Sequence, residues 1–535
     1  MIGGSTQKLH CPNCFRLRES STCFSSNIKM ARRCFSLISL VAIIFGLAFL
    51  VQLSQRQLVA QTIGTAISKA NPPKHGYFHL LMPADRGDAN VCKSVLGAAI
   101  LGYPTPTIYN WIGDNHDRKR SWSPEQMEKI FGMHRHLQTM DNSTDHDLLL
   151  LVDSYDTWFQ LNPQILIDRY HETNRGAEER MNINIGNTDR DFKQTIVLSA
   201  EKKCWPGSPN DLGCFAVPES PVPRFIYGPQ TDVDVGGPEN PFLKFRRRHL
   251  NSGFMLGPVK DLRTLFSRAN TLAAANPNDH GGDQSIIAQI FGEQEYVREL
   301  SRLPHPVESD SYPQVHETFT RDPSTNYEFH LGLDYAAALS VPTKWSDNDS
   351  SFLNFTGNTS LATAPSGGTY RLAMQSDILA SDLPLIFAVT HPTGESVELA
   401  AVSRTPKDLQ WKDFPLYTDI YTHHSPALIH HNGDKSAREN LWQRLWYQPI
   451  ARGFLDIRLG LSQRDSEAIA VDSEGKKWYA RAENEFPEAT KLGVKVLDKE
   501  ARSSWVTWNA LCDPEAQEEV FKDGKGVYQY AGKKD

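Results

Sequence analysis

The sequence predicts an α/β protein: a mostly parallel, Rossmann-like sheet with helices on both faces, preceded by one N-terminal transmembrane helix. Three observations carry the prediction. Short apolar runs alternate with helical patterns from about residue 75 onward. One of those runs, Leu148 to Val152, is continuously apolar, the signature of a strand buried on both faces. Phe35 to Leu53 is an almost unbroken apolar stretch of about 19 residues, long enough to cross a hydrocarbon core as a helix.

The flanks of that stretch set its direction. Lys8, Arg16, Arg18, Lys29, Arg32 and Arg33 precede it against one acid, Glu19, and the following flank opens with Arg56. The positive-inside rule makes residues 1–34 a cytosolic tail and 35–53 the anchor, with everything beyond in the lumen. No small-x-small cleavage pattern follows the span, which favours an uncleaved anchor over a signal peptide. A span this short suits a thin early-secretory bilayer, so the expected location is the Golgi membrane or the endoplasmic reticulum.

Composition limits the class of the remainder. Over 535 residues, 40% hydrophobic and 22% charged content excludes a collagenous or wholly disordered chain. A net charge of -7 argues against a nucleic-acid binder. Cys92, Cys204, Cys214 and Cys512 follow the span and suit two lumenal disulfides, with Cys204 and Cys214 the preferred pair. Cys11 and Cys14 form a lone CxxC in the tail without the second pair of a zinc module. Asn142, Asn348, Asn354 and Asn358 are glycosylation acceptors on the lumenal side.

Element by element, residues 54–74 read as a polar stem ending in Asn71-Pro72-Pro73. A domain over 75–440 then opens with a strand at Tyr77 to Met82, a helix over Ala89 to Leu101 and a strand at Thr107 to Trp111. Ser123-Pro124-Glu125-Gln126 combines an N-cap, a proline at the first helical position and a capping-box partner, so a helix starts there. Strands at Asp147 to Asp153, Thr195 to Ala200 and Leu250 to Leu256 follow, with helices after Pro163 and around Asp283 to Phe291. The Ser/Thr/Asn/Gly-rich stretch 346–368 reads as a glycosylatable insertion, and 441–535 as an extension of unknown role.

Chemistry concentrates at strand ends. Asp153 and Asp156 follow the buried run Leu148 to Val152, where ligands bind in open α/β sheets, and two carboxylates there can hold a hard divalent cation. Asp232 and Asp234 form a competing pair in a Pro/Gly loop with no buried strand before it. Glu201 closes the strand after Thr195 and can orient a sugar hydroxyl, while Trp205 offers a flat face for stacking. The run Arg246-Arg247-Arg248 reads as a solvated face. Asn251 and Ser252 stand at a glycine-bearing turn, and Asp283 at a helix start. His430 and His431 end a short apolar run before Asn432-Gly433 and Lys435. Adjacent residues of an extended run point to opposite sides, so only one of the two histidines can face a given cation.

These motifs resemble, in order and rough spacing, the glycosyltransferase domain of the procollagen lysyl hydroxylase/glycosyltransferase family. The resemblance runs over about Tyr77 to Lys435 and is carried by Asp153-Ser-Tyr-Asp156, Ser199-Ala-Glu-x-x-Cys-Trp-Pro206, Leu250-Asn-Ser-Gly253, Asp283-Gln284 and His430-x-Asn-Gly433. It implies a GT-A fold, a UDP-hexose donor and manganese or another divalent cation. By motif it makes Asp153, Asp156 and His430 the metal ligands. Tyr155, Asn432, Gly433 and Lys435 become nucleotide or diphosphate contacts, and Glu201, Trp205, Asn251, Asp283 and Gln284 the sugar and acceptor side. Glu201 and Asp283 are the candidate catalytic acids. Gly282 stands where the family has a first acid, the triple glycine after Trp111-Ile112-Gly113 is missing, and Lys129 is a weak counterpart of a donor contact.

The expected function is a metal-dependent hexosyltransferase, a single-pass type II glycoprotein acting on a glycan or glycoprotein acceptor. The competing class is a catalytically inactive sugar-binding or scaffold protein of the same fold. A hydroxylase would need an iron site with a His-x-Asp pair, and the chain contains none.

Overall fold

Successive residues of the central strands enter two different apolar cores, as the period-two geometry of a strand requires. Leu80 and Leu150 pack on one face of the sheet, Leu81 and Leu149 on the other. The computed structural model describes residues 75–113, 122–182, 192–276, 281–302, 319, 321–364, 368–383, 410–460, 467–481 and 492–529. Residues 1–74, on which the expected tail, membrane span and stem fall, lie outside the described residues. Among the described residues no helix is long and apolar enough to cross a membrane.

The sheet is built around β1 (His75–Pro83), which runs parallel to β2 (Thr107–Tyr109) on one side and β3 (Leu148–Val152) on the other. Beyond β3 lie β6 (His249–Pro258), β5 (Ile196–Glu201) and β7 (Leu331–Asp334); β6 is antiparallel to both of its neighbours, and β5 and β7 are parallel. Helices α1 (Ala89–Leu101) and α3 (Pro163–Asn182) cover one face, while α2 (Trp122–Thr139), α4 (Val259–Ala275) and α5 (Gly282–Arg302) cover the other. The sheet is therefore a mixed, largely parallel one with helices on both faces. Local chemistry sets the helix ends: Asp88 caps α1 by accepting from the amides of Asn90 and Val91, and Gly102 closes it at φ 80°.

A smaller sheet stands beside the main one. β13 (Leu428–His430) pairs antiparallel with β4 (Thr157–Phe159) and parallel with β8 (Ser340–Pro342). β9 (Ser350–Leu353) pairs with β12 (Leu416–Asp419), and β10 (Thr359–Thr363) with β11 (Thr369–Ala373), both antiparallel. Asn142, Asn348, Asn354 and Asn358 are all exposed.

The residues that the sequence sets apart as an extension supply further strands of the main sheet. β14 (Ala470–Val471) pairs with β15 (Lys477–Ala480), which lies parallel to the first half of β1, while β16 (Gly493–Leu497) lies parallel to β2 and carries β17 (Ser503–Thr507) at the edge. A disulfide from Cys92 in α1 to Cys512 fastens this segment, and Cys204 pairs with Cys214. Helix α7 (Pro514–Phe521) packs on α1, with Glu519 accepting from the buried ammonium of Lys93 at 2.6 Å.

Candidate active site

Asp153 stands one residue beyond the carboxyl end of β3, and the turn through Asp156 leads straight into β4. That turn is pinned from both sides. Ser94 of α1 donates to the carbonyls of Ser154 and Thr157, at 2.8 and 2.6 Å, and Ser154 donates to the carbonyl of Pro83. β13 then brings His430 opposite Thr157, so three separate strand ends converge. His430 Nε2 lies 3.3 Å from Asp156 Oδ1 and 3.7 Å from Asp153 Oδ2. One ligand atom from each of Asp153, Asp156 and His430 falls within 4.8 Å of the others.

The other nitrogen of the imidazole fixes how the ring presents itself. His430 Nδ1 donates to Asn251 Oδ1 at 3.0 Å, which leaves Nε2 facing the two acids. Gly253 makes room for the ring, because a Cβ there would sit 2.0 Å from His430 Cε1. Two carboxylate oxygens and an imidazole nitrogen, oriented from behind by an amide, fit a divalent cation.

Charge around the triad is distributed among fixed groups. Lys129 on α2 pairs with Asp153 at 2.7 Å and reaches Asp283 at 3.5 Å, and Arg438 pairs with Asp156 at 3.0 Å. Burial would raise the Asp156 carboxyl, but His430, Arg438 and Lys129 outweigh it and bring it down to about 2. Burial raises Asp153, helped by the charge of Asp156, against the pull of Lys129 and His430. Burial pulls His430 down, and the two carboxylates more than reverse it, so the ring holds its proton above the usual range.

Behind His430 runs a polar chain. Asn251 Nδ2 donates to Glu201 Oε2 at 3.2 Å and to Gln284 Oε1 at 3.3 Å, while Gln284 Nε2 donates to Glu201 Oε1 at 2.8 Å and to the carbonyl of Trp205 at 2.7 Å. Burial pushes the Glu201 carboxyl up to about 8, even though both amides donate to it. Asp283 opens α5 beside a small cavity that it lines with Lys129, Asp153, Ser252 and the apolar Leu151 and Ile287.

Of the residues singled out in the sequence, the structure thus joins Asp153, Asp156, His430, Glu201, Asn251, Asp283 and Gln284 into one connected group. Trp205 stands at its edge with 59% of its surface exposed. Tyr155 turns its hydroxyl toward Asp85 and the carbonyl of Arg86. Asn432 accepts from the amide of Lys344 at 2.9 Å, and Gly433 packs by Thr343 and Lys344. Lys435 is exposed at the first position of α6 (Lys435–Trp442). His431 faces away and packs on the Trp158 ring with centroids 4.0 Å apart. Burial holds its imidazole down to about 3, and neither nitrogen has a hydrogen-bond partner among the described residues.

Two sequence expectations need correction, and one residue was missed. The Arg246-Arg247-Arg248 run is no solvated face: Arg247 is buried against Asp419 at 2.6 Å, and Arg246 is buried against Asp232 and Glu219. Asp232, half of the competing pair, is therefore engaged in holding that run, at φ 62°. Lys129, weighed as a weak counterpart, sits at the centre of the acids. Arg438 went unnoticed; its position three residues after Lys435, on the helix that follows the His-x-Asn-Gly turn, was the available signal.

No protein-family description matches the chain, and no curated protein matches it. Among solved structures, one that shows a likeness is the galactosyltransferase LgtC in complex with donor and acceptor sugar analogs. It shares 10% identity over 71% of this chain and 95% of that chain, with a TM-score of 0.26, a likeness too distant to assign an activity.

Proposed function

We propose that this protein is a metal-dependent glycosyltransferase that moves a hexose from a UDP-sugar to a glycan or glycoprotein acceptor in the secretory pathway. The observation that carries it is the convergence of Asp153, Asp156 and His430 at strand ends, with Asn251 fixing the free face of the imidazole. Exposed acceptor asparagines and two disulfides support a lumenal setting, and the apolar stretch Phe35 to Leu53 supports a type II anchor in the Golgi or endoplasmic reticulum.

Asp153, Asp156 and His430 would hold the cation, which when bound would supply positive charge against a departing diphosphate. The protein's own groups set the rest of the field. Lys129 pairs with Asp153 and Arg438 with Asp156, which orients the two carboxylates. Lys435, on the exposed start of α6, would be the lysine that meets phosphate oxygens. An acceptor hydroxyl oxygen bonds to the anomeric carbon, the bond from that carbon to the diphosphate oxygen breaks, the electron pair leaves with UDP, and the hydroxyl proton passes to a carboxylate of the site or to water. Glu201, joined to the triad through Asn251, and Asp283, which shares a cavity with Asp153, are the acids this reading assigns to the sugar and acceptor. Glu201, whose carboxyl burial pushes up to about 8, donates a hydrogen bond more readily than it takes a proton, and Asp283 pairs with Lys129 at 3.5 Å.

A panel of UDP-glucose, UDP-galactose and other nucleotide sugars, with manganese and with chelator, tests the proposal. Donor turnover that requires the cation supports it. UDP binding without transfer or hydrolysis of any donor would make the protein a sugar-binding relative instead.

A further inference from the structure

Two loops are tied to the candidate site, and a buried ion pair joins them to each other. One continues from β5 through Lys202, Lys203 and Trp205; the other follows β8 through Lys344, Trp345 and Asp349. Lys202 and Asp349, both buried, pair at 2.9 Å, and Tyr227 donates to the same carboxylate at 2.7 Å. A buried ion pair of this kind adds little net stability over an apolar contact. Here it ties the stretch that leads into Trp205 to the stretch that follows Trp345.

Above the pair, the ammonium of Lys203 stands 4.9 Å from the Trp205 ring, 5.5 Å from Trp345 and 5.8 Å from Phe242. The ammonium of Lys344 stands 4.4 Å from the Trp345 ring. Trp345 holds this position at φ 67°, a left-handed backbone that bulky residues rarely adopt, secured by Asn240 donating to its carbonyl at 3.3 Å. Both walls are hydrogen-bonded to the candidate active site: Gln284, the partner of Glu201, donates to the Trp205 carbonyl, and the Lys344 amide donates to Asn432, two residues after His430.

We propose that Trp205, Trp345 and Phe242, with Lys203 and Lys344, form an acceptor subsite for the pyranose ring of a saccharide. Indole faces take the C–H face of a sugar, and the lysine ammonium groups, mobile on their stems, donate to its hydroxyl oxygens. The inference rests on the transferase reading and narrows it: the enzyme extends an existing sugar and does not place the first sugar on a peptide side chain. The two walls offer flat rings with cationic donors around them, the groups that stack on a pyranose and donate to its hydroxyls.

Saturation-transfer NMR on the full chain in detergent, with lactose, cellobiose, maltose, chitobiose and a Ser/Thr-rich peptide as probes, tests this. At least one disaccharide should bind, and Trp205→Ala and Trp345→Gly should each weaken it about tenfold or more. Trp345→Phe should retain most of the binding. Glycine suits the left-handed backbone at position 345, so Trp345→Gly removes the ring without adding backbone strain, and its melting temperature reports whether it is folded. Binding of the peptide alone, or disaccharide binding unchanged in a folded Trp345→Gly, overturns the subsite. UDP affinity with manganese, measured on the same samples, should be the same in wild type and Trp345→Gly; absence of UDP binding in the wild type would count against the transferase reading separately from the saccharide result.

Discussion

His430 Nδ1 donates to Asn251 Oδ1 across 3.0 Å, and this contact between β13 and β6 decides which imidazole nitrogen faces the acids. Partners behind a metal-binding histidine set the ring's tautomer and direction. Asn251→Ala should therefore weaken manganese affinity by about 10–100-fold, the usual cost of removing such a partner. Calorimetric titration of the variant measures it, and unchanged affinity would remove Asn251 from the site's support.

The two adjacent histidines should separate cleanly. His430→Ala removes a candidate ligand and should abolish manganese binding with the fold kept. His431→Ala removes a ring packed on Trp158 and should leave manganese affinity within about threefold while costing about 1–3 kcal/mol of stability. Chemical denaturation and metal titration on both variants check this; equal loss of metal binding from the two would contradict the assignment.

Gly253 tests the fit of the ring. Gly253→Ala places a methyl group 2.0 Å from His430 Cε1, so either strand β6 or the imidazole must move. The expected outcome is a loss of about 1–3 kcal/mol from overpacking together with reduced manganese affinity. A variant with wild-type metal affinity would show that the ring has freedom the structure does not suggest.

Glu201 links the site to pH. Its folded pKa of about 8 lies above its ordinary 4.5, chiefly through burial, so the folded chain keeps a proton that the unfolded chain releases. Stability from this group is greatest below about 4.5 and is lost as pH rises through about 8, at a slope of at most about 1.4 kcal/mol per unit. Glu201→Gln should flatten that part of the stability profile. Urea midpoints from pH 5 to 9 measure it, and an identical slope in the variant would assign the effect elsewhere.

The bridge from Cys92 to Cys512 closes a sequence separation of 420 residues and fastens the C-terminal strands to α1. A double Cys92→Ser, Cys512→Ser variant should lose about 2–5 kcal/mol of stability. Its denaturation midpoint is the readout, and a loss under 1 kcal/mol would show that packing of α7 on α1 suffices.

Much of the site was legible because it lies at the ends of local apolar runs. Leu148 to Val152 announces a buried strand, and Asp153 and Asp156 follow at once; Ile429 and the Asn432-Gly433 turn bracket His430 in the same way. What the chain concealed depends on distant partners. Arg247 reads as surface charge until Asp419 and Asp349 arrive from far along the sequence to neutralise it in the interior. Lys477 to Ala480 and Gly493 to Leu497 are too short to declare themselves, and only parallel pairing with β1 and β2 makes them sheet. Trp345 gave no signal, since a left-handed backbone at a tryptophan is imposed by its surroundings and not by its own preference.

The most direct measurement is release of UDP from a UDP-hexose by the full chain in detergent, with manganese, with chelator, and with Asp156→Ala. The account predicts turnover in manganese, its loss on chelation with recovery on adding the cation back, and no manganese-supported turnover in Asp156→Ala although the variant remains folded. Turnover unaffected by chelation, or retained in Asp156→Ala, would contradict it.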